Sequence, residues 1–195
     1  YKIYPSGHHY FSMKDASGAI RCVMFRSSAQ RLRFRPENGM KVLATGRVTV
    51  YPRDGQYQLY CSRLTPEGAG DLHVAFEQLK EKLAGEGLFA PEHKKPLPPS
   101  PGTIALITSP VGAAVRDMLR ILKARWPMAR VRVLPVRVQG EGAAEEISAA
   151  IAWCDREQAA DLIITGRGGG SMEDLWAFNE EIVARAIYRC HIPVI

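Results

Sequence analysis

Four prolines fall within the nine residues 94–102, KKPLPPSPG. Each proline fixes φ, removes an amide donor and disfavours helical backbone at the residue before it, so neither a helix nor a central strand can run through this stretch. The chain is therefore expected to fold as separate bodies on either side of it, and the hydrophobic periodicity changes character there as well.

Upstream, turn signals recur at short intervals between segments rich in aromatic and β-branched residues. The expected strands are His8–Lys14, Ala19–Arg26, Met40–Tyr51 and Tyr57–Leu64, with room for one short helix over Ser27–Arg33. Asp54-Gly55 between the last two strands is a hairpin signal, because a tight turn needs positive φ there. Four strands are one short of the five-stranded oligonucleotide-binding barrel (OB-fold), so the missing first strand is expected upstream of Tyr1. Leu72, Phe76, Leu79 and Leu83 then recur at helical spacing until Gly85 and Gly87, which predicts an amphipathic connector.

Downstream, short apolar runs alternate with helical stretches. Ile104–Thr108, Pro110–Trp126, Val131–Val138, Ala143–Glu157, Leu162–Thr165, Ser171–Cys190 and Ile192 onward read as strand, helix, strand, helix, strand, helix, strand. That order implies an α/β domain with a parallel sheet flanked by helices on both faces. The expected organisation is an all-β barrel over residues 1–66, a helical connector and proline-rich linker over 67–97, and an α/β domain from 98 to 195. The absence of an initial Met and the apolar ending Ile192–Ile195 suggest a piece of a longer chain.

Charge separates the two parts. Residues 1–66 carry 11 Lys/Arg against three acids, whereas residues 98–195 hold 11 of each, within a chain of net charge +6. A basic all-β region with interleaved aromatics suits single-stranded nucleic acid, whose bases stack on rings and whose phosphates pair with cations. Tyr10, Arg21, Phe25, Arg26, Arg47, Arg53 and Tyr57 are the candidate DNA-binding residues, although strand alternation must send some of the aromatics inward.

Gly166-Arg167-Gly168-Gly169-Gly170-Ser171 follows the apolar run Leu162–Thr165. Glycines let backbone amides converge on an anion, and a guanidinium matches two phosphate oxygens. Gly168, Gly169, Gly170 and Ser171 are thus candidate phosphate ligands beside Arg167, and Ser171 with Asp174 three residues on has the form of a helix N-cap. The run departs from both the Walker and the dinucleotide glycine patterns, and it also reads as a solvated strand-to-helix turn. Ser109, in Thr108-Ser109-Pro110, follows another strand, where it is expected to cap the next helix, face the same sheet edge and serve as a further candidate phosphate ligand. Asp117 sits beside Arg116 and Arg120, a pattern typical of a surface ion pair.

Cys22, Cys61, Cys154 and Cys190 are widely spaced, with no metal-ligand pattern; buried thiols are expected, and no cofactor or metal. Neither a signal peptide nor an apolar span is present in these residues, so a cytoplasmic location and no membrane partner are expected.

SGHHYFSMKD (6–15), GEGLF (85–89), KKPLP (94–98), ITSPVGAAVRD (107–117) and GRGGGSMEDLWAFN (166–179) together make the chain resemble the large subunit of exodeoxyribonuclease VII along essentially its whole length. The resemblance implies an OB-fold ahead of an α/β catalytic domain that hydrolyses single-stranded DNA to short oligonucleotides, in DNA repair or catabolism. It implies catalytic roles for Asp117 and Arg167, a further Gly-His-Glu-Thr-Asp segment soon after Ile195, and a small-subunit partner contacted beyond Ile195. Activity without divalent metal is likewise part of what the resemblance implies. On this reading residues 1–195 bind DNA without cutting it. A non-catalytic single-strand or nucleotide-binding module is the alternative, and a sugar-phosphate enzyme would explain the glycine loop but not the basic barrel.

Overall fold

A computed structural model describes residues 1–52, 55–68 and 70–195. Two compact units are present, Tyr1–Glu81 and Lys82–Ile195.

The first unit is built on β1 (Lys2–Ile3), β2 (His9–Lys14), β3 (Ala19–Met24), β4 (Val42–Val50) and β5 (Tyr57–Pro66), in the order β1-β2-β3-β5-β4. All pairings are antiparallel except β3 with β5. Lys2 and Ile3, which the sequence reading did not count as a strand, pair with Tyr10 and His9. Two residues are too few to show the alternation by which strands are recognised in a sequence. Among the described residues no ladder joins β1 to β4, so the barrel is not closed.

Alternation sends Phe11, Cys22, Met24 and Cys61 to one face, where Met24 and Cys61 join Ala29, Phe34 and Leu64 in a buried cluster. Helix α1 (Arg26–Ala29) is shorter than the expected Ser27–Arg33, and it places Ala29 in that cluster. Val74 and Ala75 of α2 (Asp71–Gly85) also pack on it. Gln78 of the same helix brackets Arg35, accepting from its amide at 2.9 Å and donating to its carbonyl at 2.8 Å. Between β4 and β5, Tyr51 donates to the carbonyl of Gln56 at 2.8 Å and Gly55 has φ +68°. The intervening loop is thus longer than a two-residue turn; Arg53 and Asp54 lie outside the described residues.

The second unit has β6 (Thr103–Thr108) between β7 (Arg130–Pro135) and β8 (Leu162–Thr165), all parallel. Ile104, Leu106 and Leu162 face Met118 and Leu122 of α3 (Ala113–Arg125). On the other side Ala105, Ile107 and Ile163 are buried with Ile147 and Ile151 of α4 (Ala143–Arg156) and Val183 of α6 (Glu181–Arg189). Each such aliphatic side chain contributes roughly 1.5–3 kcal/mol when fully buried. Helices on both faces of a parallel sheet agree with the sequence reading.

Three boundaries differ from expectation. Helix α3 starts at Ala113 with Gly112 as N-cap, so Ser109 does not cap it and Pro110 is not its first residue. The stretch expected as one helix over Ser171–Cys190 is divided into α5 (Met172–Leu175), a 3₁₀ turn over Trp176–Asn179 and α6, because Glu180 is extended. The expected strand from Ile192 onward starts at Pro193, whose carbonyl accepts from Ile163, while Ile195 bonds with Ile163 and Thr165 and Val194 bridges Ile163 in parallel. All four cysteines are buried free thiols, as expected. Burial pushes Cys22 and Cys190 up to about 11.

A Cβ on Gly46, at the β4 bulge, would collide with the Tyr60 carbonyl and come within 3.0 Å of the Cys61 Cα. Both are backbone of a paired strand and cannot swing aside. Gly46→Ala is expected to destabilise the first unit by about 1–3 kcal/mol, as overpacking does. Gly18→Ala, where nothing lies within 4 Å of the added atom, should change stability by less than about 0.5 kcal/mol. Urea unfolding followed by the near-ultraviolet signal of the barrel tyrosines measures both.

Candidate functional site

The chain leaves β6 toward α3 on one face and leaves β8 toward α6 on the other. The carboxyl ends of β6 and β8 therefore flank a point where successive connections diverge, the place at which open α/β sheets hold ligands. Thr108 and Thr165 tie this edge together. The buried Thr108 hydroxyl donates to the Gly166 carbonyl at 2.7 Å, and the Thr165 hydroxyl donates to the Ile107 carbonyl at 3.1 Å. The start of the glycine loop is thereby held against the Ser109 loop.

A cleft of about 440 Å³ opens there, with Ser109, Arg137, Gln139, Arg167 and Gly168 in its wall. Arg167 has a side chain only 16% exposed. Its Nε donates to the Gly168 carbonyl at 3.2 Å; its Nη1 donates to the Asp174 carbonyl at 2.9 Å and to the Gln139 side-chain oxygen. Arg137 is held from the side: its amide and Nε donate to Glu146, each at 2.7 Å, and Nη1 donates to the Glu141 carbonyl at 2.8 Å. Two guanidinium groups, a hydroxyl and a glycine thus share one recess, a set suited to anionic oxygens.

Ser171 caps α5 as its sequence suggested. Its hydroxyl accepts from the Asp174 amide at 3.4 Å, while the Asp174 carboxylate accepts from the Ser171 amide at 3.2 Å. The Ser171 amide is thereby taken by Asp174. A Cβ at Gly170 would meet the Asp174 side chain at 2.9 Å. Of the expected phosphate ligands, Ser109 and Gly168 line the cleft, whereas Gly169, Gly170 and Ser171 are outside its lining.

Asp117 is also outside it. Its carboxylate pairs with Arg120 at 3.0 Å, and the two side chains are 60% and 78% exposed. Arg167 is oriented by Gln139 and Asp174 and makes no contact with Asp117. One turn into a helix, a short carboxylate reaches the residue three positions on more readily than the next loop.

In the first unit, pairing sets which aromatics share a face. Tyr10 opposes Val23, Val23 opposes Tyr60, and Tyr60 opposes Arg47. Arg21, two residues from Val23, points the same way, away from the Met24 cluster. Phe25 joins them, with ring centroids 5.2 Å from Tyr60 and 5.5 Å from His8, and Tyr4 lies 5.0 Å from Tyr10. Tyr10, Phe25, Arg21 and Arg47 are brought together on this surface. Tyr57 opposes Val50 and alternates to the opposite side of β5, although it is 69% exposed. Arg26 is exposed at the start of α1, beside Gly7. Arg53 lies outside the described residues.

Comparison with known proteins matches residues 88–195, more than half the chain, to the family model "Exonuclease VII, large subunit", and residues 1–65 to "OB-fold nucleic acid binding domain". The chain belongs to the exonuclease VII large subunit family. Proteins named exodeoxyribonuclease 7 large subunit from Geobacter sulfurreducens, Ruminiclostridium cellulolyticum and Bacillus subtilis are 58%, 53% and 52% identical to it. These alignments cover 97%, 100% and 100% of the chain. They cover only 42%, 48% and 43% of the relatives, so the chain spans less than half their length.

Arg137 and Gln139 in the cleft wall and Tyr60 on the Tyr10 face are not among the residues singled out from the sequence. Arg137 and Gln139 follow β7, where the rule that points to loops after parallel strands also leads. Tyr60 was one of several barrel aromatics, and only the register separates it from Tyr57. No helix among the described residues is long and apolar enough to cross a membrane.

The Ser171 amide and hydroxyl, and beyond them the Arg167 guanidinium, hold the Asp174 carboxyl below the usual carboxylate range. A lowered folded pKa stabilises the loop fully above the unfolded value of about 3.9, and the contribution is lost as pH falls through the folded value. The protection of the Ser171 and Asp174 amides, measured by NMR as exchange relative to the intrinsic rate at each pH, should fall below about pH 4. Asp174→Asn should remove that pH dependence.

Proposed function

We propose that the chain is the strand-gripping and phosphate-binding portion of an exonuclease that hydrolyses single-stranded DNA. The relatives bear the name of an exodeoxyribonuclease, and the family's substrate fits both surfaces. Bases of an extended strand stack on Tyr10, Phe25 and Tyr60 while Arg21 and Arg47 take phosphates. One phosphodiester enters the cleft against Arg167, Arg137 and Ser109.

The observation that carries this reading is the chemistry of the cleft wall. It is lined by Thr108, Ser109, Gly112, Ala113, Ala114, Arg137, Val138, Gln139, Arg167 and Gly168. Apart from Val138 these are hydrogen-bond donors, small residues and cations; among the described residues no carboxylate or imidazole is part of the lining, the nearest to Arg167 being the Asp174 carboxylate at 3.5 Å from Nη1. A phosphodiester is a weak electrophile because its oxygens repel a nucleophile, and fixed donors help most where charge builds on those oxygens. Arg167, immobilised by Gln139 and the Asp174 carbonyl, needs little reorganisation to do so. Gly168 supports the same reading: a Cβ on it would meet nothing within 4 Å, and it has no positive φ. The fold does not require glycine there, whereas an approaching phosphate does.

Hydrolysis joins a water oxygen to phosphorus, breaks the bridging P–O bond and returns a proton to the departing alkoxide. The wall has no group to take and return protons near neutral pH. Residues 1–195 therefore bind single-stranded DNA without cutting it, and proton transfer is the task of residues supplied to this cleft from elsewhere in the full-length protein. Asp117 keeps a candidate catalytic role through the family resemblance, at the exposed face of α3. A repair or catabolic role and a small-subunit partner belong to the full-length protein on the same reading.

Arg167→Ala in the full-length protein is expected to lower kcat on a single-stranded oligonucleotide by about 10²–10³-fold, the usual cost of one transition-state donor. Binding through the barrel should change less than about threefold. Combined Phe25→Ala and Tyr60→Ala should do the reverse, weakening binding tenfold or more at about 1–3 kcal/mol per stacked base. Steady-state cleavage and fluorescence anisotropy separate the two. Efficient cutting by purified residues 1–195 would overturn the assignment of a binding-only portion. An intact full-length protein that binds DNA but never cuts it would favour the non-catalytic module.

A further inference from the structure

The second unit's charge balance conceals a separation. From Thr103 to Arg137 there are seven basic residues and one acid, Asp117; from Val138 to Ile195 there are four basic residues and ten acids. Helix α3 holds four of the seven. Its buried side is Val115, Met118 and Leu122. Arg116, Arg120 and Lys123, at i, i+4 and i+7, form one stripe on the opposite, exposed side. At about 1.5 Å per residue the stripe spans roughly 10 Å.

The stripe starts beside the cleft, because Gly112, Ala113 and Ala114 at the first turn of α3 are part of the cleft wall. Arg116 and Lys123 make no hydrogen bond or ion pair with a described residue. Arg120 has only Asp117, in an exposed pair whose strength is small in water and which a stronger anion displaces readily. Three cations on one rigid face, all open to solvent and in line with a phosphodiester cleft, match the repeating charge of a nucleic-acid backbone. An acidic protein patch would need no alignment with the cleft.

We propose that Arg116, Arg120 and Lys123 form a second track for single-stranded nucleic acid, separate from the barrel face, which holds the backbone phosphates next to the one lodged in the cleft. The track rests on the reading of the cleft as a phosphodiester site. It grips phosphates only, since no aromatic ring lies along the stripe, so it is indifferent to sequence and sensitive to salt.

The test uses the whole chain and a fluorescein-labelled oligothymidylate of about 30 nucleotides, titrated by anisotropy across a salt series. Each phosphate contact to a single strand contributes about 0.7 to the slope of log K against log salt. The triple variant Arg116→Gln, Arg120→Gln, Lys123→Gln is expected to lower that slope by about 2 and to weaken binding roughly ten- to hundredfold at about 0.1 M salt. A charge-matched control, Lys94→Gln, Arg156→Gln, Arg189→Gln, should change the slope by less than about 0.5. Independently of any variant, the oligonucleotide should protect Lys123 of the unaltered chain from amine acetylation, read by mass spectrometry.

An unchanged slope in the stripe variant with Lys123 still reactive overturns the track, and is the result expected if the stripe serves an acidic protein. If Phe25→Ala, Tyr60→Ala abolishes binding in that case, the barrel reading survives alone. Failure of the unaltered chain to bind the oligonucleotide overturns both. Equal losses in the stripe variant and the control reduce the effect to net charge and also overturn the track.

Discussion

Strand β6 has apolar side chains on both faces, and Ile104, Ala105, Leu106 and Ile107 are each at most 2% exposed. Such a strand cannot sit at a solvent-facing edge, so it must take a partner strand on each side and a helical layer on each face. That demand places β7 and β8 to either side of it, sends α3 to one face and α4 with α6 to the other, and creates the divergence at which the cleft opens. Thr108 is where burial ends: its hydroxyl, still inside, reaches the Gly166 carbonyl, and the next residue, Ser109, already lines the cleft. Core and site are consecutive positions of one strand.

A similar division governs the barrel, with period two in place of layers. The same strands that bury Met24 and Cys61 present Tyr10, Tyr60, Arg21 and Arg47 on the reverse side. Alternation makes the stability of one face and the chemistry of the other inseparable, because a one-residue slip would exchange them. Gly46 helps to hold that register, since only a residue without a side chain lets β4 pass so close to the Tyr60 carbonyl.

Electrostatics is arranged differently in the two units. The barrel carries a broad basic excess, suited to drawing in a polyanion from a distance and holding it weakly at many points. The α/β unit is neutral in sum but divided, with cations gathered around α3 and the cleft and acids on the later elements. There, hydrogen bonds to Gln139, Glu146 and backbone carbonyls orient the Arg137 and Arg167 guanidinium groups, which diffuse charge does not do.

Much of this was legible in the sequence. The change from period two to alternating strand and helix, the glycine run and the Ser171–Asp174 cap are local patterns, and each acts through the conformational limits of a few neighbouring residues; the two units, by contrast, divide at Glu81 and Lys82 rather than in the proline-rich stretch. The errors share the opposite property. The two-residue β1 exists only because β2 lies alongside it. The start of α3 shifted to Ala113 because Ser109 to Val111 follow the end of a buried strand rather than the local preference of Ser-Pro. The partners of Arg167 come from residues 139 and 174, and Tyr60 rather than Tyr57 shares a face with Tyr10 through register alone. Local chemistry is written along the chain, and so the element types, the family and the capped glycine-rich loop could be read from it. Which side chains meet depends on strand order and pairing between segments far apart in the chain, and those are decided when the core closes.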